Sequence, residues 1–170
     1  STLLASSAAS DVYKRQMKKT NNKGFSLVEL IIVIAIMAIL IGVLAPQYIK
    51  YVEKSRVSAD KDLLDSIYNA CTTAASDPEI TVSTIKTSAF DVSTLAGDGD
   101  ATTFDSAVMD TLGQGLSGSG SAVTAKLKSK IGRGDGDIHV DVDANGNYTV
   151  YVGTKGDATD GITVGAGANN

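Results

Sequence analysis

The residues that could do chemistry in this sequence are few, and the most conspicuous is an acid in the wrong solvent. The stretch Lys23–Gln47 reads KGFSLVELIIVIAIMAILIGVLAPQ, apolar from Phe25 to Ala45 except for Glu29. An ionised carboxylate in apolar surroundings is costly unless a positive group meets it. Four residues inside the run, Glu29 could snorkel to an interface; otherwise it needs a partner. Asp141-Val142-Asp143-Ala144-Asn145-Gly146 matches the opening of a calcium loop, which makes Asp141, Asp143 and Asn145 candidate metal ligands. The twelfth position of that loop is Val152, where a bidentate Glu is required, so the reading is no metal. His139, the single histidine, has no Ser, Cys or carboxylate geometry to serve and reads as a surface residue on the outer face of a hairpin. Cys71, the single cysteine, rules out an intrachain disulfide and reads as a small core residue. Arg133-Gly134-Asp135 would suit a flexible, exposed loop, but a tripeptide in a Gly/Asp-rich stretch carries no adhesive assignment. These residues form no catalytic constellation and imply no cofactor. The sequence argues against an enzyme.

The elements that must position these groups fall into two chemically different halves. Phe25–Ala45 is 21 residues, about 31 Å as a helix and close to the hydrocarbon thickness of a bilayer. Pro46 removes a backbone donor and predicts a kink, without necessarily ending the helix. Beyond it Ile49, Val52, Ala59, Leu63, Ile67, Ala70 and Ala74 recur at helical spacing. Lys54, Arg56, Asp60, Lys61, Asp62 and Asp65 supply a polar face, with Lys61 and Asp65 paired at i, i+4. Asp77-Pro78 is a stop signal. Unbroken, Phe25–Ser76 would be a helix of about 78 Å. Its first half wants lipid, and its second half wants something packed on one face.

After Pro78 the segments shorten. Ile80–Ile85 and Ala89–Leu95 fit strand or loop, Gly97–Asp100 a turn, and Thr103–Leu112 a short helix. Gly113–Ser121 reads as flexible from its Gly and Ser content. Ala122–Ile131 fits either helix or strand. The clearest β signal is 137–152, DIHVDVDANGNYTVYV, in which Ile138, Val140, Val142 and then Tyr148, Val150, Val152 alternate with polar residues. A two-residue Asn145-Gly146 turn would mix the two faces. A three-residue loop, Ala144–Gly146, pairs Val142 with Tyr148, Val140 with Val150 and Ile138 with Val152, burying one face. Ile162–Val164 offers a further strand.

Charge follows the same division. Lys14, Arg15, Lys18, Lys19 and Lys23 precede the apolar run against Asp11 alone, whereas from Phe25 onward 10 basic residues face 18 acidic ones. Basic residues before a span hold that side in the cytoplasm, so the acidic remainder should lie outside. An acidic head also lacks the basic footprint that nucleic acid requires. Ser1–Gln16 shows no useful periodicity and reads as an extension upstream of Met17, with Met17–Gly24 a basic leader.

Lys23-Gly24-Phe25-Ser26-Leu27-Val28-Glu29, followed by the apolar run and Pro46, resembles the class III leader and N-terminal segment of type IV pilins and their relatives. The likeness covers about 18–56 and fades after Ala75. The resemblance implies a prepilin, cut by a membrane prepilin peptidase between Gly24 and Phe25 and then methylated on the new Phe25 amine. It implies that Glu29 approaches that amine, its own or a neighbour's, and so sets subunit register. It implies an α+β fold in which a long, kinked N-terminal helix packs its second half on a small, mostly antiparallel β-sheet head. The expected domains are an extension (1–16), leader (17–24), transmembrane or filament-core helix (25–45), amphipathic continuation (46–76) and polar head (77–170). The expected function is a structural subunit of a type IV pilus, major or minor. Its partners would be other pilin subunits, the peptidase, the membrane, and an assembly platform with its ATPase. It would pass from a single-span membrane protein to an extracellular fibre, with roles of the adhesion or motility kind. Two alternatives share parts of this logic: a pseudopilin of a secretion or competence system, and an uncleaved, membrane-anchored surface domain.

Overall fold

A computed structural model describes residues 24–168; the expected extension, and the leader up to Lys23, lie outside the described residues. The architecture is α+β: one long helix, three short ones and a four-stranded antiparallel sheet. Helix α1 runs Leu27–Ser76 with Pro46 inside it and stops where Asp77-Pro78 predicts, with the Asp77 carboxylate accepting from Glu79 N at 2.8 Å. The chain divides into two compact units between Ala45 and Pro46.

Among the described residues of the first unit nothing is covered. Every residue from Gly24 to Ala45 is exposed, including the Ile, Leu, Val and Met side chains that make the segment apolar.

The second unit builds its own core. Its share of α1 contributes Leu64, Ile67, Ala70, Cys71 and Ala74. Ile67, Ala70 and Ala74 of the expected stripe are buried, but nearer its start the buried face shifts by one residue: Leu63 and Ala59 are half-buried, Ile49 is exposed, and Asp60, placed on the polar face by the sequence reading, is buried. The Lys61–Asp65 pair is not among the ion pairs of the described residues; Glu53 and Arg56 pair instead at 3.6 Å.

Strands β1 (Phe90–Asp91), β2 (His139–Val142), β3 (Tyr148–Gly153) and β4 (Gly161–Gly165) lie in that order, each antiparallel to the next. The expected hairpin register holds, with Val142 opposite Tyr148 and Val140 opposite Val150. Ile138, Val140, Tyr148, Val150 and Val152 are buried on one face. The loop is the three-residue one: Asp143 N donates to Asn147 O at 3.0 Å, and Gly146 takes φ +81°, the left-handed conformation the turn needs.

Helix α2 (Phe104–Thr111) sends Phe104, Val108 and Met109 into the same core. Phe104 stacks on Tyr148, centroids 6.2 Å apart, and meets Phe90 edge-on at 6.3 Å. Ile80–Ile85 resolves into a 3₁₀ turn at Val82–Thr84, and Ala89–Leu95 into β1 followed by a 3₁₀ turn at Val92–Thr94. The ambiguous Ala122–Ile131 contains the end of α3 (Gly120–Thr124) and the start of α4 (Lys130–Asp135).

The Gly/Ser stretch 113–121, expected to be flexible, is tied down at its end. Gly97 N donates to Gly118 O, Gly120 N to Leu95 O, and Ala96 bridges Ser119. Gly120 is there for close approach: a Cβ on it would stand 1.6 Å from Val92 O. Composition suggested mobility, but the absence of a side chain serves backbone-to-backbone packing.

Candidate functional site

The candidate site is the start of α1. Gly24 and Phe25 precede the helix, and Phe25 is 90% exposed. Leu30 N donates to Ser26 O at 3.2 Å, so Ser26 stands at the cap and Glu29 in the first turn. A carboxylate there faces the positive end of the helix dipole. Ser26-Leu27-Val28-Glu29 also has the Ser-x-x-Glu spacing of a capping box. Sequence reasoning missed that signal, and it offers Glu29 a local role beside any long-range one. Phe25 and Glu29 are four residues apart in sequence, one just before the helix and one in its first turn, and both are exposed. Pro46 lies inside α1, its missing donor followed by the exposed Tyr48, Ile49 and Tyr51.

The calcium-loop candidates are engaged in other contacts. Asp143 Oδ1 accepts from Asn145 N at 2.8 Å and Asn147 N at 2.9 Å, and its Oδ2 accepts from Asn147 Nδ2 at 2.9 Å. The Asn147 side chain and backbone donors hold its pKa below the usual carboxylate value. Asp141 meets Lys155 Nζ at 2.5 Å, and that ammonium lies 5.9 Å from the Tyr151 ring centroid. Asn145 is exposed in the turn. These contacts are those of a closed hairpin loop. Among the described residues no group of three or more His, Cys, Asp or Glu side chains is placed to hold a metal ion.

The Arg133-Gly134-Asp135 tripeptide is a correction to the sequence reading, because it ends helix α4 instead of forming a loop. The tripeptide is exposed as expected, but the Asp135 carboxylate is engaged, accepting from Gly153 N at 2.6 Å and meeting His139 Nε2 at 3.2 Å. His139 itself is only partly exposed, and it does have carboxylates to serve: its Nδ1 lies 2.6 Å from Asp91 Oδ1. Burial opposes its charged form, but hydrogen bonds to Asp91 and Asp135, with their charges, outweigh that and raise its pKa above the ordinary value. Cys71 is buried as expected, and burial with the nearby Asp105 charge pushes its thiol up to about 12.

Sequence reasoning also missed Asp60 and Glu53, seven residues apart on α1. Asp60 accepts from Lys128 N at 2.8 Å and Ser129 N at 2.9 Å, and Glu53 accepts from Lys130 N. Together with the Ser129 hydroxyl, which accepts from Gly132 N at 2.9 Å, they satisfy the amides entering α4. The i, i+7 spacing of two acids was the one available signal.

Comparison with known proteins bears on the N-terminal segment. Residues 19–45 match the model of the prokaryotic N-terminal methylation motif. A curated relative, the type IV major pilin protein PilA of Myxococcus xanthus (strain DK1622), is 43% identical over 49 residues, which are 29% of this chain and 22% of that protein. The match thus spans about a fifth of the relative's length. No solved structure matches the chain. Over residues 19–45 the chain is thus similar to the prokaryotic N-terminal methylation motif, over 49 residues it is similar to a type IV major pilin, and the long helix and antiparallel sheet that follow have an α+β, type IV pilin-like architecture.

Proposed function

We propose that this chain is a structural subunit of a type IV pilus, made as a prepilin and polymerised through its N-terminal helix. The observation that carries the reading is the uncovered apolar surface from Phe25 to Ala45, interrupted only by Glu29. A monomer in water does not keep so long an apolar surface bare. Lipid covers it before assembly, and neighbouring helices cover it in the fibre. Cleavage between Gly24 and Phe25 by a prepilin peptidase, with methylation of Phe25, leaves a cationic amine one turn from the acid. An exposed Gly24, with open space where a Cβ would stand, suits access to that bond. Glu29 then pairs with a Phe25 amine, its own in the membrane or a neighbour's in the fibre, and a subunit out of register leaves both charges unmatched. Pro46 marks where the core helix hands over to the amphipathic continuation at 46–76. A head-to-tail arrangement of this kind does not close, so it grows as a helical filament. An assembly platform and its ATPase drive the polymerisation, and the acidic head faces outward.

The Ser26–Glu29 spacing favours a second reading, in which Glu29 only caps the helix and the protein remains an uncleaved, single-span surface domain. Mass spectrometry of the N-terminus separates the two. A mature chain beginning at methylated Phe25 is expected; a chain that keeps Lys23 and Gly24 refutes the pilin reading.

A further inference from the structure

His139 occupies the middle of a row across three strands, facing Asp91 of β1 on one side and Tyr151 of β3 on the other. Asp135, the last residue of α4, closes over it from the outer face of the sheet. The imidazole nitrogens point to different carboxylates, Nδ1 to Asp91 at 2.6 Å and Nε2 to Asp135 at 3.2 Å. A neutral imidazole has one N–H and one lone pair, so it can serve only one of them. The other carboxylate would face a lone pair at hydrogen-bond distance. Only the imidazolium, with two donors, satisfies both.

We propose that His139 is a pH-responsive clamp, holding edge strand β1 to the end of α4 when protonated and releasing the Asp91 side when neutral. The asymmetry follows from the partners. Asp135 keeps Gly153 N as a second donor. The Asp91 side chain is about half exposed and can turn to water. Just beyond Asp91 the backbone is held separately, Val92 N donating to Ile138 O at 2.8 Å and Ser93 N to Asp137 Oδ1 at 3.1 Å, so the release is confined to the Asp91 side chain.

The other groups around the ring do not remove the effect. Tyr151 packs against it with centroids 5.3 Å apart, and burial keeps that phenol's pKa above its ordinary value, so it stays neutral through this range. Lys155, beyond Tyr151, is paired to Asp141. Lys130 and Asp160 line the same cavity of about 700 Å³ with opposite charges.

The sign is fixed by the raised folded value. The clamp's contribution is fully present below the unfolded histidine's ordinary value of about 6.5 and is lost as pH rises through the folded one. Because the chain has a single histidine, its ring resonances report the clamp directly. The experiment is an NMR titration of the full chain in detergent micelles, with thermal melts at pH 5.5 and 8. The expected midpoint lies above the ordinary value and moves down in Asp91→Asn. The wild-type melting temperature should fall by roughly 2–4 °C between those pH values, while His139→Gln stays flat. A midpoint at or below the ordinary value, one that Asp91→Asn leaves unmoved, or equal pH slopes in wild type and His139→Gln would overturn the proposal.

Discussion

Replacing Asp60 by Ala is the sharpest test of how the second unit is held. Asp60 is 1% exposed, and its two oxygens accept from Lys128 N and Ser129 N at 2.8 and 2.9 Å. Each amide-to-carboxylate bond contributes about 1.5–3 kcal/mol net, and an amide stripped of its partner in the interior costs about 1–3 kcal/mol. Removing the carboxylate also removes its own desolvation penalty, several kcal/mol in sign opposite to those terms. The balance is a loss of about 3 kcal/mol, since breaking one side of a buried charged contact is more damaging than replacing the whole of it. For a unit of this size that is a fall in melting temperature of roughly 10 °C. Asp60→Asn keeps the shape but points an NH₂ group at one of the two amides, so it should fall between wild type and Ala.

The same geometry fixes the sign of a second substitution. Gly132 sits in α4, where Ala would normally gain about 1 kcal/mol of helix propensity. Here the new Cβ would stand 2.7 Å from Asp60 Oδ2 and 3.0 Å from Leu127 Cδ2, so Gly132→Ala should destabilise. In an Asp60→Ala background the closest clash is gone, and the penalty should shrink by at least about 1 kcal/mol. Thermal unfolding of the four variants by circular dichroism, in micelles, completes the cycle. If Asp60→Ala melts within 2 °C of wild type, or Gly132→Ala costs the same in both backgrounds, the buried-carboxylate account is wrong.

Glu29 separates capping from charge pairing. Gln serves a capping box as well as Glu, so Glu29→Gln should leave insertion and helix onset intact yet impair fibre assembly as severely as Glu29→Ala; electron microscopy of normal fibres from Glu29→Gln would reduce the acid to a cap. Cys71 should react with iodoacetamide at pH 8 only through unfolding, because burial keeps its thiol protonated. Modification of the native protein at the rate of a free thiol would contradict the packing around it.

What the sequence made legible was periodic or local. The hairpin at 137–152 could be read because alternation, loop length and a left-handed glycine all lie within sixteen residues and select one register. The start of α1 could be read because lipid demands a long apolar run whatever follows. Asp60 was misassigned because its partners are backbone amides 68 and 69 residues away, and backbone donors leave no trace in residue type. His139 was placed correctly on the outer face but without the two carboxylates it meets. One carboxylate is 48 residues distant, and the other belongs to a helix too short to announce itself among glycines. Gly120 misled for a related reason: one letter stands equally for freedom and for contact, and only the Val92 carbonyl beside it decides.

The two units answer to different solvents, and that separates the consequences of substitution. The core around Leu64, Ile67, Phe104 and Val150 is closed with no help from outside the second unit. The side chains from Phe25 to Leu44 bury nothing within the described residues, so no internal contact constrains them. On the proposed function their identities are set by what covers them: apolar enough for hydrocarbon, and carrying one acid where a neighbour's amine would meet it. A change in the head is therefore felt as stability and can be offset by repacking, because a core accepts many fillings of the same volume. A change at Glu29 touches no packed core; inside the molecule it alters only the first turn of α1. On the proposed function, its larger cost appears when a second surface arrives.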